Sequence, residues 1–143
     1  MYKTLLAVFL ALAAFSGGLS AQESDFQVIV HPNNPATSLS TAQVTRLFLK
    51  QTTRWDHGGE VNPVDQLPAS ACRVSFSADV LERNVGAVES FWQQQIFSGR
   101  SAPPVKLGSD EAVVDYVKNR VGAIGYVTRN ASTSGVKVLT IDG

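Results

Sequence analysis

Cys72 stands beside Arg73 and two residues after Ser70, at a place where a helix is expected to begin. A thiolate can be favoured at a helix N-terminus next to a cation, and His57 is the nearest base in the sequence. Nucleophilic catalysis also needs the two side chains within hydrogen-bond reach. Nothing in their spacing couples them, and a lone cysteine serves equally as a small apolar filler. His31, His57 and Cys72 lack the paired spacing of a zinc site. The chain is therefore expected to be no enzyme and to use no metal or cofactor. Ser70 can cap the helix, or its hydroxyl can join the backbone amides that favour an anion there. Arg73, in the first turn, either adds a charge to such a site or faces water. Asn33 and Asn34 follow the first expected strand, where a parallel sheet opens its ligand crevice, although Asn between prolines is also ordinary turn chemistry. Trp55 either stacks on a ligand or closes over the edge of the core.

These residues are positioned by a regular succession of elements. Phe26 to His31 (FQVIVH) reads as a strand closed by Pro32-Asn33-Asn34-Pro35. Ser40, with Gln43 three residues on, is a capping box for a helix burying Val44, Leu47 and Phe48 and fading near Lys50. A polar turn over residues 52–59 leads into a short strand, Val61 to Val64. Ser70 then opens a helix expected to bury Val74, Ala78 and Leu81. Val85 to Phe97 forms another, with Val88, Phe91, Trp92 and Ile96 on one side, stopped by Gly99. Val105 to Leu107 is a strand. Ser109, Asp110 and Glu111 suit the positive end of a helix dipole, and Lys118 and Arg120 its other end. Ala123 to Val127 and Val136 to Ile141 complete the order β-α-β-α-α-β-α-β-β. Alternating strands and helices imply one α/β domain with a mainly parallel sheet covered on both faces. Gly122 and Gly125 are expected to permit close backbone packing.

The N-terminus has a separate logic. Lys3 precedes the apolar run Thr4 to Phe15, and Ser16 to Ala21 are small residues. The run is short of the ~20 apolar residues of a spanning helix and has the flanks of a secretory signal. Residues 1–21 are therefore expected to be cleaved, leaving an exported, periplasmic domain over 22–143 with no membrane span. In the whole chain of 143 residues, twelve Lys and Arg balance twelve Asp and Glu. That balance provides no basic stripe for nucleic acid. At 44% hydrophobic residues the chain is too apolar to be disordered. The one cysteine cannot form an intrachain disulfide.

Three stretches carry a family likeness. LFLKQTTRWDHG (Leu47 to Gly58) resembles the I-F-x-G-x-x-x-x-W stretch of the phosphate-binding proteins of phosphate ABC transporters. NRVGAIGYV (Asn119 to Val127) resembles their x-x-P-G-A-I-G-Y-V stretch, and FWQQQIFSGRSAPP (Phe91 to Pro104) is similar to small single-lobe relatives. The resemblance runs from about Phe26 to the C-terminus. It implies a single lobe of the type 2 periplasmic binding-protein fold, where the full family closes two lobes over phosphate.

Residue by residue, the resemblance places Ala69-Ser70-Ala71-Cys72 at the family's G-S-G-T phosphate loop and Gln66 at the preceding Arg, with Arg73-Val74-Ser75-Phe76 continuing it. Ser70 is retained. Both glycines are replaced by alanine, which resists positive φ, and the upstream guanidinium fork is lost. Restoring it by Gln66→Arg is expected to strengthen an anion site. Two functions follow. One is capture of phosphate or another small oxyanion by Ser70, the Ala71 to Arg73 backbone, Gln66 and Asn33. The other is an envelope interaction module that kept the lobe and lost the anion. In either case the uncovered crevice face, with Trp55 at its rim, is expected to meet a second copy or another envelope protein.

Overall fold

The computed structural model describes residues 24–143; the expected signal segment lies outside them. The elements are β1 (Phe26–Val30), β2 (Ser38–Ser40), α1 (Thr41–Phe48), β3 (Asn62–Gln66), α2 (Ala71–Asp79), α3 (Val85–Phe97), β4 (Val105–Leu107), α4 (Asp110–Lys118), β5 (Ala123–Thr128) and β6 (Lys137–Asp142). The strands form one six-stranded sheet in the order β2-β6-β1-β5-β3-β4. Among the described residues no helix is long and apolar enough to cross a membrane.

Local signals set the helix starts. The Ser40 hydroxyl accepts from Gln43 N while the Gln43 side chain accepts from Ser40 N, so the capping box is complete. Asn84 caps α3, and Ser109 caps α4 ahead of Asp110 and Glu111. Ser70 caps α2, its Oγ accepting from Arg73 N at 3.3 Å.

The sheet is mixed, with parallel pairs predominating. β2 with β6, β3 with β4 and β3 with β5 are parallel, whereas β1 is antiparallel to both β5 and β6. Helices cover both faces. On one side Val28, Val30, Ile124 and Tyr126 meet α1, α2 and α3; Phe76 stacks on Tyr126 with centroids 3.9 Å apart, and Phe48 tilts against both. On the other side Ile29, Val64, Ala123 and Val127 meet Val113 and Val117 of α4. Gly125 brings α4 that close: a Cβ there would lie 2.7 Å from Val64 and 2.8 Å from Val113. At Gly122 a Cβ would run into the carbonyl oxygen of Glu60. Both glycines thus serve packing, as expected.

Several expectations need correction. The three-residue β2 was not foreseen, because Ser38-Leu39-Ser40 becomes a strand only by pairing with the distant β6. In α2 the buried stripe is Cys72, Arg73, Phe76 and Ser77, continued by Val80 just beyond its end. Val74 and Ala78 face out, since the aromatic cluster and a buried ion pair fix the rotation of the helix. In α3 Val88 and Trp92 are buried as expected, but Ile96 is exposed and Phe97 is 92% exposed.

Candidate functional site

The loop from Gln66 to Arg73 joins the C-terminal end of β3 to α2, and both faces of β3 are covered there. Asp65 and Gln66 are both buried. Gln66 is held on every side. Its Nε2 donates to the Tyr126 carbonyl oxygen at 2.9 Å and to Asp110 Oδ1 at 3.0 Å. Its Oε1 accepts from Ser70 Oγ at 2.6 Å. The Ser70 hydroxyl therefore spends its one proton on Gln66 and a lone pair on the helix cap. A hydroxyl has a single donor, so none remains for an anion while that bond stands.

Arg73 is the largest fully buried side chain in the described structure. Its guanidinium is held inside the fold. One terminal nitrogen donates to the Gln66 carbonyl oxygen at 3.2 Å, and the other meets Glu89 Oε1 of α3 at 2.6 Å. Nε lies 3.5 Å from Asp65 Oδ1, an ion pair without a directed hydrogen bond. Lys106 of β4 closes on Glu89 from outside at 3.0 Å. Burial pushes the Glu89 carboxyl up, but hydrogen bonds from Lys106 and Arg73 outweigh it and leave its pKa lowered. The Asp65 carboxylate also accepts from the Tyr126 hydroxyl and from Gln66 N. Burial, then the charge and hydrogen bond of Asp65, drives the Tyr126 phenol upward. The group is a cross-brace between β3, α2, α3, β4 and β5, and Arg73 neither faces water nor lies open to a ligand.

Electrostatics at the start of α2 run against a free anion. The Asp110 carboxylate accepts from Gln66 Nε2 and from Thr128 N at 3.1 Å, so the chain supplies its own anion at the strand ends. Burial pushes the Cys72 thiol up to about 12, with Asp110 and Asp25 adding to the rise and a hydrogen bond from Thr128 opposing it. The shift is upward, opposite to the depression that a reactive thiol at a helix start would need. The amides of Ala71 and Cys72 belong to the first turn, whose N–H groups have no partner within a helix. Ala71 is exposed and Ser70 half-buried.

Asn33 and Trp55 lie elsewhere. Because β1 runs antiparallel to β5, with Phe26 opposite Thr128 and Val30 opposite Ile124, its C-terminal end lies at the far end of the sheet from the Gln66 loop. Five residues of strand put Asn33 on the order of 15 Å away at ~3.3 Å per residue. Its backbone N–H donates to His31 Nδ1 at 3.1 Å. The reversed β1 brings its other end to α2: Ser75 Oγ meets Asp25 Oδ2 at 3.2 Å, a neighbour not anticipated from the sequence. Trp55 is buried, its Nε1 donating to the Gly122 carbonyl oxygen at 3.0 Å, so it seals the core edge at the opposite end and forms no rim. Asp65, Glu89, Lys106 and Tyr126, which hold the loop, were not singled out beforehand, and Asp110 was read only as a helix-start residue. The one available hint was a carboxylate, Asp65, directly after the expected strand Val61 to Val64.

No protein-family model matches the chain, and no curated protein does. Solved structures do. An ABC-type phosphate transport receptor from Vibrio cholerae aligns over 82% of this chain and 46% of its own, with a TM-score of 0.66 and 17% identity. A putative phosphate ABC transporter substrate-binding protein from Clostridium perfringens, solved with bound phosphate, aligns over 83% and 45%, with a TM-score of 0.58 and 20% identity. PstS from Borrelia burgdorferi aligns over 83% and 47%, with a TM-score of 0.63 and 12% identity. The chain spans less than half the length of each. What it shares with these phosphate receptors is their fold, over somewhat less than half of each receptor.

Proposed function

We propose that this protein is an exported, periplasmic binding domain without catalytic turnover, and that it works as an interaction module on a phosphate-receptor lobe whose anion loop has been closed internally. The observation that carries this reading is the Ser70 hydroxyl donating to Gln66, while Gln66 is itself held by Asp110 and Tyr126. The Ser70 hydroxyl and the Gln66 amide are both occupied by the chain itself, and the Asp110 carboxylate lies 3.0 Å from Gln66 Nε2. Leu67 and Val74, on either side of the loop, are 48% and 52% exposed. They give this face apolar contact area for a second copy or another envelope protein.

Capture of phosphate or a related oxyanion is the second reading. It is favoured by the solved neighbours that are described as phosphate receptors and by the accessible first turn of α2. Ser70, Ala71 and Cys72 would contribute through the helix start, and Gln66 through its amide once released from Ser70. Asn33, at the far end of the sheet, is not part of this proposed set. Calorimetric titration with phosphate and sulfate separates the two readings. The interaction reading expects no heat at millimolar anion and a concentration-dependent sedimentation coefficient. Saturable phosphate binding that is weakened by Ser70→Ala would overturn it in favour of capture.

A further inference from the structure

A second concave surface lies at the opposite end of the sheet from the Gln66 loop. Helix α1 presents Gln43, Arg46 and Leu47 there, three positions that share a face at i, i+3 and i+4. Opposite them stands the hairpin 53–61, held by Trp55 N to Gly59 O, Gly58 N to Trp55 O and Val61 N to Thr53 O at 2.9 Å each. Gly58 and Gly59, at φ of 100° and 94°, make its turn, a backbone region that glycine enters without steric cost. The hairpin presents Arg54, Trp55 and His57, with the His57 ring stacked on Trp55. Between the two is a cleft of about 140 Å³, floored by Ala36, Leu39, Leu47 and Trp55.

Its charge is unbalanced. Arg46 and Arg54 both line it, and among the described residues neither guanidinium has an ion-pair or hydrogen-bond partner. Asp56, also on the wall, leaves one net positive charge. An apolar floor offers no hydrogen bonds to a hydrated inorganic ion, whereas guanidinium forks at the walls match a carboxylate. The volume matches the ~150 Å³ of an engineered apolar cavity that holds a single benzene ring.

We propose that this cleft binds a carboxylate borne on an apolar body of about one ring's size, with Arg46 and Arg54 taking the carboxylate and Trp55, Leu39 and Ala36 the body. The site is separate from the Gln66 loop, so its fate is independent of both readings given above.

The test is fluorescence and calorimetric titration of the described domain with benzoate, benzamide, inorganic phosphate, and the tripeptide Gly-Gly-Phe with a free or amidated terminus. Saturable binding of a free carboxylate below about 10 mM is expected, at least tenfold tighter than its amide, which is about 1.4 kcal/mol. Arg46→Gln with Arg54→Gln should weaken it at least tenfold without changing the melting temperature, since both side chains are exposed and unpartnered. Ala36→Leu, which fills the floor and keeps both charges, should weaken it to a similar extent. Benzoate bound more tightly than the tripeptide identifies a free small acid, and the reverse identifies a chain terminus; either outcome supports the site. Equal binding of acid and amide, unchanged binding in the double variant, or no saturable binding would overturn it. Ser70→Ala should leave benzoate binding untouched.

Discussion

Arg73→Met tests whether the family-like loop has become structure. Methionine fills most of the space of the Arg stem and removes the guanidinium, which is 0% exposed. Breaking one side of a buried ion pair costs ~3–5 kcal/mol because the remaining charge is left without compensation. Two features place this site at the low end. Glu89 is one-third exposed and keeps Lys106, and Asp65 keeps the Tyr126 hydroxyl and Gln66 N as donors. The Gln66 carbonyl oxygen also loses its guanidinium donor, a term of ~1 kcal/mol. The expected loss is about 3 kcal/mol, or ~12 °C in melting temperature for a domain of this size. Urea unfolding followed by tryptophan fluorescence should show a lower midpoint at unchanged m, since a stability change without a change in compactness moves only the midpoint. The lowered Glu89 pKa adds a pH signature. A carboxyl depressed on folding contributes stability above its unfolded value, 4.5, and loses it as pH falls through the folded value. In Arg73→Met that acid-side loss should be smaller, because one of the two cations holding Glu89 is gone. A loss below about 1 kcal/mol, or an unchanged acid limb, would refute the cross-brace and return Arg73 to the list of available ligand groups.

Further outcomes at Ser70, Gln66, Cys72 and Gly125 follow from the same geometry. Ser70→Ala removes the α2 cap and the donor to Gln66, and should cost about 1–3 kcal/mol by chemical denaturation. Gln66→Arg, which the family likeness alone would favour, should instead destabilise by at least ~1 kcal/mol, because the buried amide's hydrogen bonds are lost and a larger charged group has no room; phosphate titration of that variant should show no gain. Cys72 stays protonated in the fold while the unfolded thiol ionises near 9.0, so stability should fall as pH rises from 9.0 towards about 12, an effect absent in Cys72→Ala. Native Cys72 should also react with a thiol reagent only as fast as the domain opens. Gly125→Ala forces a methyl against Val64 and Val113 and should cost about 1–3 kcal/mol in thermal unfolding.

Local chemistry in the sequence determined where the helices begin. Ser40 with Gln43, Ser70, and Ser109 with Asp110 and Glu111 set starts that the structure keeps, and Val85–Phe97 and Val105–Leu107 have the expected bounds. These signals act within one turn or one strand, so they survive whatever the rest of the chain does. The fold likeness was legible as well, in a stretch whose Gly122 lies against the Glu60 backbone and whose Gly125 lies against the side chains of Val64 and Val113. Only the tertiary structure decided what the candidate residues do. β1 could not be known to run antiparallel, and that direction alone carries Asn33 to the far end of the sheet and brings Asp25 to α2. The face that α2 buries depended on Phe76 stacking on Tyr126 and on Arg73 finding Asp65 and Glu89. These partners lie 8 to 50 residues away in the chain, and no periodicity within a nine-residue helix reports on them. Ser70 is the sharpest case: its place at a helix start was written in the sequence, but the use of its single proton was settled by Gln66, which Asp110 and Tyr126 hold in place from across the fold.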